Sequence, residues 1–526
     1  MNTYARIICG AAVLAAMAGR AHGGATCENL AKIALRHGTV TSAQLMAAGQ
    51  FVPPAAPAGP NAGPNSAAAT AAAASAKESY LKLPSFCRVS ATLKPSADSA
   101  IHIEVWLPTA DWNGKLVEAG NGAFGGNLSY EPMARMLKSG YAATSSDTGH
   151  EGNSNSGAFA LGHPEKLVDF AYRAVHENAV AAKVVVAAYY GSASSKAYFE
   201  GCSTGGRQAY GEAQRYPADF DGIVAGAPGI NFTHQTGSEL AIVQQVHNNP
   251  AFFIPATKYP MFHAAVIAAC DSLDGVKDGI IENPLQCKFD PGTLLCNGAD
   301  TPECLTAPQV EIARKIYAGV VSAAGVQVFP GLPPGTELGW GNTLIRETPM
   351  GYGLDAFRTV VMQNPDWDYL TLDVNRDIPN ADKTVGKEMN NADPNLKPFF
   401  ARGGKLLGFH GWSDPMNTAL NSTTYYEAAA AATGGESAIS NSYRLFLIPG
   451  MGDCGGGEGT SSFDLLSAID AWVQSGKAPD ALPASRIRNG IVDRTRPLCP
   501  YPKQAVYNGT GNTDDAANFT CAVLHQ

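Results

Sequence analysis

Gly201-Cys202-Ser203-Thr204-Gly205 carries the clearest chemical signal in the chain, a G-x-S-x-G pattern. The compact segment Ala197–Glu200 before it reads as a strand, and the run after it through Tyr216 reads as a helix. Glycines on both sides allow the serine a sharp, strained turn. Its hydroxyl then stands clear of the sheet at a helix N-terminus, the build of a nucleophile for acyl transfer. The N–H of Thr204 is expected to be one oxyanion donor. A second is expected from the Gly120-Asn121-Gly122-Ala123 turn, at Gly122.

A serine nucleophile needs a base and a group that orients the base. In hydrolases with this elbow the chain order is Ser, then Asp or Glu, then His. Asp414 fits the acid, because it follows the apolar run Leu406–Phe409 within His410-Gly411-Trp412-Ser413-Asp414, at a strand end. The base is expected after the next strand, in Pro449-Gly450-Met451-Gly452-Asp453-Cys454-Gly455, and that segment has no histidine. His525 is the only histidine after His410.

A second constellation lies in Cys270–Ile280. Asp271, Asp274 and Asp278 stand at i, i+3 and i+7, with Gly275 and Gly279 letting the chain curl. Hard oxygen ligands of this kind suit Ca²⁺ rather than a transition metal. The expectation is a structural Ca²⁺ and no organic cofactor.

Positioning these groups calls for strands alternating with helices. Ile101–Leu107, Leu116-Val117, Tyr141–Ser145, Ile223–Ala225, Leu406–Phe409 and Leu445–Ile448 read as short strands. A helix is predicted from Pro164, and Phe463–Val473 reads as a final amphipathic helix. The pattern predicts an α/β fold around a largely parallel sheet. Residues 231–400 break the rhythm with Pro, Gly and four cysteines, which predicts an inserted lid domain. Its aromatics (Phe252, Phe253, Trp340, Phe357, Trp367, Phe399, Phe400) are read as core for the most part, with some free to pack a phenolic ring. Pro53–Ala76 is low-complexity and is read as a flexible loop without chemistry.

Composition narrows the classes. At 526 residues the chain exceeds one ordinary domain, and 16% charge with 56 Gly and 34 Pro suits a loop-rich globular protein. Acidic residues outnumber basic ones, 46 to 37, and no basic run appears, which excludes a nucleic-acid surface. Residues 1–23 read as a secretory signal peptide: a single Arg, the apolar run Ile7–Ala18, then small residues at Ala21-His22-Gly23. That run is too short to span a bilayer of roughly 30 Å. A secreted or periplasmic protein without a membrane span is expected. Cleavage removes Cys9 and leaves ten cysteines, an even number that reads as disulfides in an oxidising compartment. Close spacing suggests Cys270 with Cys287, Cys296 with Cys304 and Cys499 with Cys521.

Taken together, the chain resembles the tannase and feruloyl esterase family, which also includes the plastic-monomer esterase MHETase. The resemblance rests on Phe86-Cys87-Arg88-Val89, Val105-Trp106-Leu107-Pro108, Trp112-Asn113-Gly114-Lys115, Ser146-Asp147-Thr148-Gly149-His150, Gly201-Cys202-Ser203-Thr204-Gly205-Gly206-Arg207 and His410–Asp414. It implies an α/β-hydrolase fold from 24–230 and 401–526, with the 231–400 lid bearing a calcium site. The implied calcium ligands are the side chains of Asp271, Asp274 and Asp278 and the carbonyls of Val276 and Ile280. Ser203 is implied as nucleophile and Asp414 as acid, with Cys202 bonded to Cys454 and Cys27 to Cys87. Small esters of hydroxycinnamic or gallic acid are the implied substrates. The departure is Asp453, which stands where the family has its catalytic His. A carboxyl titrating near ~3.9 is a poor acceptor for a serine proton beside an imidazole near ~6.5. The sequence therefore predicts an esterase with an impaired base. The alternatives are a non-catalytic binder of aromatic esters and a hydrolase of synthetic aromatic monoesters, the latter requiring a carboxylate-binding Arg in the lid. Oligomeric state is not legible.

Overall fold

The computed structural model describes residues 24–54 and 77–523. The expected leader, most of Pro53–Ala76 and His525 lie outside the described residues. Strands β1 (Gly38–Met46), β2 (Phe86–Leu93), β3 (Ile101–Pro108), β4 (Lys115–Ala119), β5 (Ala142–Ser146), β6 (Lys196–Cys202) and β7 (Gly222–Gly226) precede the lid. The lid contains the short hairpin β8 (Val320–Val321) and β9 (Gln327–Phe329), and the chain returns with β10 (Lys405–Gly411) and β11 (Tyr443–Ile448).

One nine-stranded sheet runs in the order β1-β2-β3-β5-β4-β6-β7-β10-β11. β1, β2, β3 and β5 pair antiparallel, and every pairing from β5 through β11 is parallel. The central strands are apolar on both faces (Leu116, Val117, Tyr198, Phe199, Ile223, Val224, Leu406, Leu407), as a sheet covered by helices on both sides demands. The helix predicted from Pro164 runs to Tyr190, interrupted by a π turn at Asp169–Arg173. Phe463–Val473 corresponds to the helix Leu465–Ser475.

The register decides where chemistry is possible. Cys202 sits opposite Gly226, and Gly226 opposite Phe409. Ser203, the loop after β10 and the loop after β11 therefore emerge together at the C-terminal edge of the sheet, where open α/β sheets place their ligands.

Residues between β7 and β10 build a core of their own around Phe262, Trp340, Ile312 and Phe357, joined to the sheet domain through Phe124, Leu167 and Phe170. Phe399 packs instead with Tyr210 and Leu406 in the sheet domain. After the last helix come two hairpins, β12 (Leu482–Arg488) with β13 (Ile491–Leu498) and β14 (Gln504–Tyr507) with β15 (Phe519–Ala522). Five disulfides close the fold: Cys27–Cys87, Cys202–Cys454, Cys270–Cys287, Cys296–Cys304 and Cys499–Cys521. Among the described residues no helix is long and apolar enough to cross a membrane.

Candidate active site

Ser203 sits between β6 and the helix Thr204–Arg215 with φ 59° and ψ −116°, a conformation that a non-glycine residue holds only under constraint. The constraint is visible. A β-carbon on Gly201 would lie 2.6 Å from the carbonyl carbon of Gly205, so only glycine lets strand and helix close this tightly. The Ser203 N–H donates to Gly226 O at 3.0 Å, and Arg207 N–H donates to Ser203 O at 3.0 Å. Thr204 Oγ1 donates to Ala123 O at 2.6 Å, tying the helix to the turn after β4. That turn is fixed by Asn121, whose N–H donates to Gln208 Oε1 at 3.0 Å and whose Nδ2 donates to Ser146 O at 2.8 Å. Ala123 lines the cavity over Ser203 with Thr204, Gln235, Tyr352, Met416 and Asn417. Gly122, its neighbour, is exposed.

Asp414 is fully buried after β10. Its Oδ1 accepts from Met416 N–H at 2.9 Å and Asn417 N–H at 3.1 Å. His410 Nε2 lies 3.2 Å from Asp414 Oδ2 and 2.6 Å from Asn417 O, and its Nδ1 lies 2.8 Å from Ser422 Oγ. Both ring nitrogens are thus committed inside the protein, so His410 is a brace for the acid loop. His150 stacks on Phe159 at 3.6 Å, and burial pushes its imidazole down to about 4. It lines a large groove that shares Asn155 and Met350 with the Ser203 cavity, and it is not among the residues lining that cavity.

Asp453 is brought to the elbow by Cys202–Cys454. One of its carboxylate oxygens and the two sulfur atoms lie within 4.8 Å of one another. Its Oδ1 is buried and has no hydrogen-bond partner. Burial and the negative charge of Asp414 hold the Asp453 carboxyl well above the usual carboxylate range. That shift favours the protonated carboxyl and reduces the form able to take a proton from Ser203.

Several lining residues carried no sequence signal: Gln235, Met350, Tyr352, Met416 and Asn417. Tyr352 enters from the lid, its ring 4.6 Å from Phe124 and 6.0 Å from Phe232. Burial pushes its hydroxyl up to about 12. Asn417 was the most accessible of these to sequence reasoning, lying three residues after Asp414. None of the expected lid aromatics lines this cavity.

The acidic loop lies away from the elbow, inside the Cys270–Cys287 bridge. Asp271 Oδ1 accepts from Asp278 and Gly279 N–H at 3.1 and 3.2 Å, and Asp274 Oδ1 accepts from Val276 N–H at 2.9 Å. Asp278 Oδ1 accepts from Ile280 N–H at 3.1 Å, while its Oδ2 faces Arg496 at 2.5 Å and Arg494 at 3.2 Å. Burial, then the charges of Asp278 and Asp271, push the Asp274 carboxyl up to about 6. The three carboxylates are hard oxygen donors of the kind Ca²⁺ takes, with Arg494 and Arg496 already sharing the charge of Asp278.

Comparison with known proteins places this geometry. The sequence model described as tannase and feruloyl esterase matches residues 87–522. An uncharacterized esterase of Xanthomonas campestris pv. campestris is 34% identical over 97% of this chain and 93% of its own length. Probable feruloyl esterase B-1 of Aspergillus oryzae is 34% identical over 83% of this chain and 84% of its own. The crystal structure of feruloyl esterase B from Aspergillus oryzae superposes with a TM-score of 0.85 at 31% identity, covering 94% of this chain and 99% of that one. Tannin acyl hydrolase from Aspergillus niger shares the fold, with a TM-score of 0.76 at 21% identity. An elbow serine at the sheet edge, an α/β-hydrolase fold and these relatives lead to one conclusion: the chain belongs to the tannase and feruloyl esterase family and is a carboxylic ester hydrolase.

Proposed function

We propose that the chain is an exported serine esterase that cleaves esters of hydroxycinnamic or gallic acids through an acyl-enzyme on Ser203. Asp453, standing where a histidine is expected, limits its turnover. The observation that carries this reading is the constrained Ser203, whose neighbour Cys202 is bonded to Cys454 and so brings Asp453 to the elbow beside the buried Asp414. Ser203 Oγ attacks the ester carbonyl and its proton passes to the Asp453 carboxylate, available only in the ionised fraction. The Thr204 N–H, with a backbone N–H of the Gly122-Ala123 turn, holds the oxyanion. The alkoxide takes that proton and leaves as the alcohol. Water then attacks the acyl-enzyme and its proton passes to Asp453, which returns it to Ser203 Oγ as the Oγ–acyl bond breaks and the carboxylic acid is released. Ser203→Ala should abolish hydrolysis of methyl hydroxycinnamate. Turnover that persists at the parent rate in Ser203→Ala would defeat the mechanism. Asp453 also favours a second reading, a binder of aromatic esters without turnover. In that case the parent and Ser203→Ala would be equally inert.

Asp271, Asp274 and Asp278, with the carbonyls of Val276 and Ile280, would hold Ca²⁺. The ion would supply charge neutralisation that braces the lid and would take no part in ester cleavage. Chelation with EDTA is expected to lower Tm by several degrees, and added Ca²⁺ to restore it. An unchanged Tm would remove the assignment. Export is supported by the five disulfides, which persist in oxidising compartments.

A further inference from the structure

The loop that carries Asp453 has a composition that leaves it little rigidity of its own. Between Gly450 and Gly459 six of ten residues are glycine, and the other four are Met451, Asp453, Cys454 and Glu458. Glycine leaves the backbone its widest freedom, so such a segment must be fixed from outside. Met451 is fully buried in the core of the sheet domain, and Cys454 is bonded to Cys202. Glu458 supplies a third anchor, and it is the one that reaches the lid.

Glu458 Oε2 lies 3.0 Å from Nε2 of His263, on the lid helix Tyr259–Cys270. The other ring nitrogen, Nδ1, lies 2.8 Å from Oε2 of Glu337, also in the lid. Glu337 Oε1 in turn accepts from Tyr317 Oη at 2.7 Å and from Gly335 N–H at 2.7 Å. His263 and Glu337 are buried, whereas Glu458 is half-exposed. The ring faces a carboxyl oxygen at each nitrogen, and only the imidazolium donates on both sides at once. Burial opposes that charge, but the hydrogen bonds and charges of Glu337 and Glu458 outweigh it and raise the ring to about 9. The bond from His263 also holds the Glu458 carboxyl below its usual range. The backbone of Glu458 is engaged as well. Its N–H donates to Gly450 O at 2.8 Å, closing the mouth of the loop, and its carbonyl accepts from Arg486 Nη1 at 3.1 Å.

We infer that His263 is a positioning residue for ester cleavage: bridging Glu337 and Glu458, it latches the glycine-rich loop to the lid and so sets where residue 453 stands at the elbow. Closed at its mouth, the loop moves as a unit, so the contact that holds Glu458 also holds residue 453. This role rests on the reading of residue 453 as the proton acceptor, and it makes the lid part of the catalytic geometry.

Glu458→Ala removes the latch at its exposed end and leaves the buried His263–Glu337 pair in place, and thermal melting establishes that the variant is folded. Hydrogen exchange of residues 450–459 needs no turnover. In Glu458→Ala it should quicken by at least about threefold, while the helix Tyr259–Cys270 keeps its rate. Added to Asp453→His, Glu458→Ala should lower kcat on a methyl hydroxycinnamate ester by about 10-fold and leave KM within about twofold. Glu458→Gln, which still accepts from His263, should keep the parent's exchange rate and most of kcat. Unchanged exchange of the loop in Glu458→Ala, or a rise in KM in place of the fall in kcat, would overturn the inference. A gain of activity in Asp453→His that Glu458→Ala leaves whole would overturn it and spare the acceptor reading. No gain in Asp453→His would end both.

Discussion

Asp453→His raises kcat on a methyl hydroxycinnamate ester by at least about 10³-fold, and by as much as on the order of 10⁶-fold. The other groups that the proposed mechanism uses are buried or held by neighbouring backbone. Ser203 is held at φ 59° by its neighbours, Thr204 leads the helix, and Asp414 is buried with its Oδ1 held by two backbone N–H groups. An imidazole at 453 would stand beside Asp414 and next to the bridge that adjoins Ser203, restoring an acceptor that titrates near neutrality. Burial and the charge of Asp414 hold the carboxyl now present well above the usual carboxylate range. Its basic form therefore appears only as pH rises through its elevated value, so the parent's rate should climb steadily on the alkaline side. The histidine variant should instead gain an inflection near ~6.5 and level off above it. Equal rates and identical pH profiles in the two proteins would show that Asp453 is not the limiting group.

The second large effect concerns Cys202–Cys454. This bridge closes a loop of 252 residues, spans the whole lid insertion and ends beside the nucleophile. Cross-linking residues so far apart restricts the unfolded chain by an amount on the order of 5 kcal/mol. Replacing both cysteines with serine should lower Tm by about 5–10 °C. The same change releases Asp453 from its place at the elbow, so introducing it into Asp453→His should also return most of the gained activity. A double-serine variant with unchanged Tm and full activity in the histidine background would make the bridge dispensable. The two readouts separate its roles, because stability depends on loop closure and rate depends on where residue 453 is held.

Much of this site was legible because its signals are local. Gly201–Gly205 and His410–Asp414 lie at strand ends where the backbone itself fixes their geometry, so pattern alone placed them at one edge of the sheet. β1 was not anticipated, since Gly38–Met46 mixes polar and apolar residues at an edge strand that only its pairing with β2 stabilises. The hairpins β12–β15 went unread for the same reason. Gln235, Tyr352 and Met416 reach Ser203 from segments distant in sequence, and nothing in their spacing reports that convergence. The sequence reads most of the lid aromatics as core, and Trp340 and Phe357 are fully buried, because an inserted domain must first fill its own interior; Phe253 and Trp367 are only partly buried against it. His410 illustrates a subtler limit. Its place in the motif was evident, but that both nitrogens are committed to Ser422, Asn417 and Asp414 emerges only in three dimensions.

The central claim is that Ser203 forms an acyl-enzyme whose progress depends on residue 453. Intact-mass spectrometry after acid quench, with p-nitrophenyl ferulate as substrate, tests it most directly. The account predicts one added feruloyl group per chain, located on the peptide containing Ser203. The adduct should accumulate in the parent, because deacylation also needs a base, and turn over rapidly in Asp453→His. Product release from either protein with no adduct on Ser203, or an adduct that survives in Ser203→Ala, would contradict the account.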